Sequence, residues 1–204
     1  MPITAVALNC TLKRSGAETS STDLLLDGLL RHLRALDVEV GPVVRVADLD
    51  VKPGVSSDEG DGDEWPPLRQ QIIDADILVM GGPIWMGQPS SITKRVLERL
   101  DAFLGEQDDD GRLPSSGKVA VVATVGNEDG AHHVAAEVYQ SLADVGFTIP
   151  ANAQTYWVGE AMGSVDFKDL DEIPDKVKQT NRDVARNAHH LAQLLKANPY
   201  PVGD

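Results

Sequence analysis

Short apolar runs alternate along this chain with segments in which leucine and valine recur at helical spacing. The runs ITAVALN, DILVMGG and KVAVVATV are dominated by apolar residues, as expected of strands that are buried on both faces. The segment that follows the first run has its leucines three and four positions apart, which predicts an amphipathic helix. Parallel strands need long connections that cover the sheet, so the alternation predicts a doubly wound α/β fold.

The alternation predicts a parallel sheet with helices on both faces, and we expect five strands in the doubly wound order 2-1-3-4-5. The second strand is expected in VEVGPVVRVADL, the last in QTYWVGEA, and a terminal helix over about 175–197. We expect one domain over 1–204, with loop insertions at about 53–66 and 105–117. The acidic stretches at 56–64 and 106–111 are interpreted as surface loops.

Composition excludes several classes of protein. A net charge of −14 and a pI near 4.6 argue against nucleic acid and anionic membranes as partners. No apolar run is long enough to span a bilayer and no basic leader precedes ITAVALN, so a cytoplasmic location is expected. The single cysteine, Cys10, excludes an internal disulfide and a multi-cysteine metal site.

Three loops follow strands one, three and four, and such loops meet at the carboxyl edge of a parallel sheet. The first loop (10–22) leads into a helix amino terminus, where free N–H groups attract an anion. Neither G-x-x-x-x-G-K-[ST] nor G-x-G-x-x-G is present, so a monophosphate fits best. Asp23 must then point away from the phosphate. The alternative is that residues 20–22 only cap the helix. The candidate phosphate ligands are Thr11, Lys13, Ser20, Ser21 and Thr22.

The second loop (81–89) carries large apolar side chains where a polar loop tip would be usual. They provide a wall for a flat ring, although Trp85 in a subunit interface explains them equally well. The third loop (124–130) offers amide donors to a polar ring edge, or is an ordinary tight turn between strand and helix. The candidates are Pro83, Ile84, Trp85, Met86 and Gly87 in the second loop, and Thr124, Val125, Gly126, Asn127, Asp129 and Gly130 in the third.

Three stretches in this order and spacing, LNCTLK…SSTDLLL, GGPIWMGQPSSITKRVLERLD and ATVGNEDGAHH, resemble the flavodoxin-like NAD(P)H-dependent FMN reductase family. The middle stretch is the most specific, with its P-x-W turn and S-x-x-x-K helix. The resemblance covers most of residues 3–160 and implies a flavodoxin-like fold with non-covalent FMN. It implies that the first loop holds the phosphate, that residues 83–87 lie against the isoalloxazine ring, and that the third loop approaches the polar ring edge.

The resemblance further implies hydride transfer from NADPH or NADH to the flavin N5 atom, and electron transfer to a small acceptor such as a quinone or a flavin. No protein nucleophile is required, and backbone N–H groups of Gly87 or residues 126–130 would stabilise the reduced ring. Family members often form dimers or tetramers, so a homo-oligomer is expected. A flavodoxin-type electron carrier and a flavin-free protein that binds a phosphorylated metabolite remain as alternatives.

The other reactive side chains are interpreted as structural. His132 and His133 are adjacent and diverge on a helix, so they do not share a ligand, and the same applies to the pair at 189–190. One member of each pair is expected to face solvent and the other to pack. We expect a buried structural thiol at Cys10 and no metal site. Trp157 either lies near the ring or packs under the terminal helix, and packing is slightly favoured.

Overall fold

A computed structural model describes residues 2–160 and 163–201 of the chain. Ala161, the last residue of the predicted QTYWVGEA strand, lies outside the described residues. Within them the strands are β1 (Thr4–Asn9), β2 (Glu39–Val40), β3 (Val44–Arg45), β4 (Ile77–Trp85), β5 (Gln88–Pro89), β6 (Val119–Gly126) and β7 (Gln154–Val158). The helices are α1 (Ser21–Arg34), α2 (Trp65–Asp74), α3 (Ser91–Leu100), α4 (Ala131–Asp144) and α5 (Asp175–Ala197). In this part of the chain no helix is both long enough and apolar enough to cross a bilayer.

The sheet has a parallel core in the order β2-β1-β4-β6-β7, with β3 also paired to β1. Alternate residues of each central strand enter two separate cores, because successive side chains of a strand point to opposite faces. Leu78 and Met80 pack with α2, α3 and α4, whereas Ile77 and Val79 pack with α1 and α5. The predicted strand order and the helices on both faces are confirmed.

The predicted second strand is present as two separate pieces along β1. Ala5 pairs with Val40, and the next parallel pair is Leu8 with Val44. Two residues of β1 therefore lie opposite the three residues 41–43, which include a proline without an N–H donor. The edge of the sheet is bulged at this point.

The third predicted strand is longer than expected and ends in a hairpin. Residues 83–85, predicted as part of a turn, belong to β4, and Trp85 pairs with Gln88 of β5 in antiparallel register. The turn consists of Met86 and Gly87, whose φ angles are +53° and +73°. Positive φ at both central positions is the type I′ geometry that fits the twist of a hairpin.

The acidic stretch before α2 is anchored by a buried ion pair. The side chains of Arg99 and Asp63 are fully buried and lie 2.7 Å apart. Arg99 also donates to the carbonyls of Lys52 and Ser56, at 3.0 and 3.1 Å. Burial would raise the pKa of Asp63, but the guanidinium and the N–H groups of residues 59, 52 and 65 outweigh it and hold the pKa well below its usual range. The prediction of a surface loop is wrong for Asp63.

Candidate functional site

A cleft opens at the carboxyl ends of β1, β4 and β6 and contains about 540 Å³ of space that communicates with solvent. It brings together side chains from all three predicted loops, because parallel strands end at the same edge of the sheet. The predicted residues that line it are Thr11, Lys13, Ser20, Ser21, Thr22, Pro83, Ile84, Trp85, Val125, Gly126 and Asn127.

The other predicted residues lie near the cleft but do not line it. Thr124 is buried, and its hydroxyl accepts a hydrogen bond from Gln154 at 3.3 Å. Met86 is 90% exposed at the tip of the hairpin. Gly87 and Gly130 face each other through their backbones, since a Cβ on Gly130 would lie 2.8 Å from Gly87 Cα. Asp129 accepts the N–H of Gly130 at 2.7 Å. These residues connect the second loop to the third.

A fourth wall comes from β7 and the segment after it, through Trp157, Asp166 and Phe167. The rings of Trp157 and Phe167 have centroids 5.4 Å apart. Asn127 Nδ2 donates to Asp166 Oδ1 at 3.2 Å and so connects this segment to the third loop. Trp157 both lines the cleft and packs against the core beneath α5, so the two interpretations of this residue are compatible. Asp166 and Phe167 carry no sequence signal, because they lie in an irregular segment before the terminal helix.

The polar end of the cleft is the amino terminus of α1. Ser20 caps the helix through a capping box, in which its Oγ accepts the N–H of Asp23 at 3.2 Å and its own N–H donates to the Asp23 carboxylate at 3.1 Å. The cap interpretation of Ser20 therefore holds. The N–H groups of Ser21 and Thr22 have no acceptor among the described residues, which is the arrangement that attracts an anion.

The loop before this helix is held by side chains from the same region. Asn9 is fully buried, accepts the N–H of Thr11 at 2.9 Å and donates to Asp23 Oδ1 at 2.6 Å. Lys13 forms a 2.6 Å ion pair with Glu18, whose pKa is lowered mainly by the hydrogen bond from that lysine. The lysine that lines the cleft is thus already paired.

Cys10 lies directly after β1 but is buried behind the cleft. Burial raises the pKa of its thiol from 9.0 to about 12, in spite of an opposing hydrogen bond with Thr93. A thiol that stays protonated is a poor nucleophile, which agrees with the structural role predicted for it.

The histidines of α4 also lie outside the cleft lining. His132 contacts the edge of the Tyr156 ring, with centroids 5.1 Å apart, and His133 forms an exposed 2.8 Å pair with Glu137. In the described ranges, no group of three potential metal ligands comes together.

The residues of the cleft fit a phosphorylated ligand with a flat ring. Hydroxyl groups and unpaired N–H groups gather at the α1 end, whereas Trp85 and Trp157 supply aromatic surface in the same cleft. Asn127 lies with this aromatic surface, and its backbone N–H, which has no acceptor among the described residues, can address a polar ring edge. FMN carries these three features, a phosphate, a flat ring and a polar edge.

Comparison with known proteins agrees with this description. The family model named NADPH-dependent FMN reductase matches residues 3–163. The 8-demethyl-8-aminoriboflavin-5'-phosphate synthase of Streptomyces davaonensis is 35% identical over an alignment of 212 positions, which includes 98% of this chain and 81% of that protein. The crystal structure of RosB with the bound intermediate 8-demethyl-8-formylriboflavin-5'-phosphate superposes with a TM-score of 0.87 at 33% identity, covering 97% of this chain and 82% of that one.

A further relative contains a similar sequence within a much longer protein. The divalent metal cation transporter MntH of Mycobacterium bovis is 38% identical over 200 residues, which cover 95% of this chain. Those residues make up 29% of the transporter, so the chain spans less than a third of that relative.

Proposed function

Because the chain belongs to the NADPH-dependent FMN reductase family, whose members are oxidoreductases that use FMN with NADPH, we propose that it binds FMN in the cleft. We further propose that it transfers reducing equivalents from NADPH or NADH to a small acceptor. A quinone or a free flavin is the class of acceptor that we propose. The observation that carries the proposal is the union, in one cleft, of the unpaired N–H groups of α1 with the aromatic surface of Trp85 and Trp157.

The phosphate is assigned to the α1 end. Thr11, Ser21 and Thr22 supply hydroxyl donors there, together with the first-turn N–H groups. Ser20 contributes by capping the helix, and Lys13 contributes charge at the rim, where Glu18 shares it.

The ring is assigned to the wall formed by Pro83, Ile84 and Trp85 from β4, with Val125 and Gly126 of β6 beside it. Of the remaining predicted residues, Met86, Gly87, Asp129 and Gly130 act in this proposal by holding the hairpin against the third loop. Thr124 acts by joining β6 to β7 through its hydrogen bond with Gln154.

The chemistry supplied by bound FMN is two-electron transfer through the N5 atom of its ring. The protein orients the ring and stabilises the negative charge that develops at the N1/O2 edge on reduction. The N–H of Gly130 is already donated to Asp129, and the N–H of Met86 to Glu128 at 2.8 Å. The N–H groups of residues 127–129 have no acceptor in the described part of the chain, so we assign the N1/O2 edge to them.

The rim of the cleft supports a homo-oligomer in which a second copy covers the ring. Five large apolar side chains are exposed and either line the cleft or adjoin, in sequence, a residue that lines it: Leu12, Trp85, Met86, Tyr156 and Val165. Of these, Trp85 and Met86 stand together at the hairpin, and exposed apolar patches are typical of interaction surfaces. Light scattering during gel filtration tests this assignment, and a monomer at micromolar concentration would contradict it.

The direct test is an anaerobic reduction experiment. Protein reconstituted with FMN and dialysed should keep the visible flavin bands, and these should bleach when NADPH or NADH is added. Trp85→Ala should weaken FMN retention, whereas Tyr200→Ala should not, although both aromatic side chains are 52% exposed. Loss of FMN on dialysis would refute the proposal, and retained bands that do not bleach would favour an electron carrier.

A second function is favoured by one observation, the close similarity to a synthase of a modified riboflavin phosphate and to RosB. In that case FMN is a substrate whose ring is altered, rather than a resident cofactor. Mass spectrometry of the flavin recovered after turnover distinguishes the two functions. An unchanged FMN mass supports the reductase, and a changed mass supports flavin modification.

A further inference from the structure

A carboxylate that would oppose phosphate binding lies beside the phosphate end of the cleft. Asp23 lies in the first turn of α1, next to Thr22, which lines the cleft. A negative side chain at this point repels a phosphate that approaches the helix amino terminus. Phosphate binding therefore requires that the charge of Asp23 be compensated within the protein.

Arg45 provides this compensation. Its Nη2 is hydrogen-bonded to Asp23 Oδ2 in an ion pair whose side chains are only 12% and 32% exposed. Arg45 is the last residue of β3, and its position follows from the pairing of β3 with the end of β1. The bulge at residues 41–43 thus leads into the short strand that carries this side chain.

The same guanidinium also holds the first loop. Arg45 Nη1 donates to the carbonyl oxygen of Lys13 at 3.1 Å, so one side chain connects the helix cap to the loop that faces it. The Lys13 ammonium pairs with Glu18 and does not reach Asp23. Within residues 2–160 and 163–201, the only cation in salt-bridge contact with Asp23 is that of Arg45.

We propose that Arg45 is a positioning residue that makes the cleft selective for 5'-phosphorylated flavins over unphosphorylated riboflavin. It acts through Asp23, whose charge it neutralises, and through the first loop, which it fixes at Lys13. The inference rests on the proposed function, since it names what selects the ligand of that same site. Loss of Arg45 should weaken binding of the phosphate and leave recognition of the ring unchanged.

The test compares the dissociation constants of FMN and riboflavin by quenching of flavin fluorescence. In Arg45→Gln the FMN affinity should fall on the order of tenfold, since the repulsion between an uncompensated carboxylate and a nearby phosphate is of this order between its values in bulk water and at a protein surface. The riboflavin affinity should not change. Adding Asp23→Asn to this variant should restore the part of the FMN affinity that was lost through charge repulsion, because asparagine still accepts a hydrogen bond from Ser20 but carries no charge. The part that depends on the contact with the Lys13 carbonyl stays lost.

Arg31→Gln is the matched control. It removes the same charge from an exposed pair with Asp27 on α1, and it should leave both affinities unchanged. If Arg45→Gln does not fold, Asp23→Asn alone gives the decisive result, because it leaves Arg45 as a free cation beside the phosphate. The ratio of FMN to riboflavin affinity should then rise.

Equal weakening of both ligands in Arg45→Gln, or no restoration in the double variant, would overturn the inference and leave the proposed function standing. A lower FMN-to-riboflavin ratio in Asp23→Asn would overturn it as well. Wild-type protein that binds neither flavin would refute the proposed function, and the inference with it.

Discussion

Replacing Gly130 by alanine should separate the hairpin from the third loop. Gly130 precedes α4 with φ +122°, a backbone conformation that disfavours every side chain. Its added Cβ would lie 2.8 Å from both Cα and the carbonyl oxygen of Gly87. Both contacts are with backbone, so neither is relieved by rotation of a side chain. The turn at Met86 and Gly87 must move away.

The cost has two parts. A left-handed backbone costs a residue with a Cβ about 1–2 kcal/mol. Movement of the turn also breaks the 2.8 Å hydrogen bond from Met86 N–H to Glu128, which contributes about 1 kcal/mol at an exposed site. The free energy of unfolding should therefore fall by about 2–3 kcal/mol in Gly130→Ala.

Gly111→Ala is the matched control, because Gly111 has φ +75° but open space where its Cβ would lie. It should lose only the backbone part, about 1–2 kcal/mol. Urea unfolding followed by circular dichroism measures both variants, and FMN titration should show weaker binding in Gly130→Ala alone, since Trp85 moves with the turn. Equal losses of stability and unchanged FMN affinity in the two variants would refute the backbone contact as the cause.

Three further predictions concern buried groups. Arg99→Met leaves Asp63 buried without its cation, and the free energy of unfolding should fall by about 3–5 kcal/mol in urea titrations, whereas a change below 1 kcal/mol would contradict this. Because the folded-state pKa of Asp63 is lowered, its contribution to stability is complete above the ordinary aspartate pKa of about 3.9 and is lost as the pH falls below it. When the pH is lowered from about 7 to about 3, the urea midpoint of the wild type should decrease more than the urea midpoint of Arg99→Met. The Cys10 thiol, with its pKa raised to about 12, should resist alkylation in the folded protein and react in urea, and stability should fall as the pH rises above 9.0. Mass spectrometry after iodoacetamide treatment checks the thiol, and rapid labelling of folded protein would contradict its burial.

The sequence predicts those parts of the fold in which local pattern and burial coincide. The strands β1, β4 and β6 are buried on both faces and therefore read as apolar runs, and α5 spans the predicted 175–197. The division of the second strand into β2 and β3 escaped prediction, because Val40 and Val44 look continuous unless the pairing with β1 is known. The extension of β4 also escaped prediction, because Gly and Pro usually indicate a turn and not the continuation of a strand.

The candidate site was predictable to the extent that its residues follow strands. The cleft-lining residues of the first, second and third loops were predicted because the loops that follow parallel strands all lie at the same edge of the sheet. Asp166 and Phe167 were not, because they reach the cleft through contacts with Asn127 and Trp157 that are distant in sequence. The neutralisation of Asp23 by Arg45 escaped prediction in the same way, although Asp23 itself was recognised as unfavourable for a phosphate.

The bulged edge of the sheet bears on how the chain behaves at high concentration. An exposed edge strand offers a row of free backbone groups on which another extended chain can add, and this is a route to aggregation. Here the outer strand consists of two pieces of two residues, interrupted at 41–43 by a segment that contains a proline. An incoming strand therefore finds no continuous ladder to extend on this side, which disfavours edge-to-edge addition at β2 and β3.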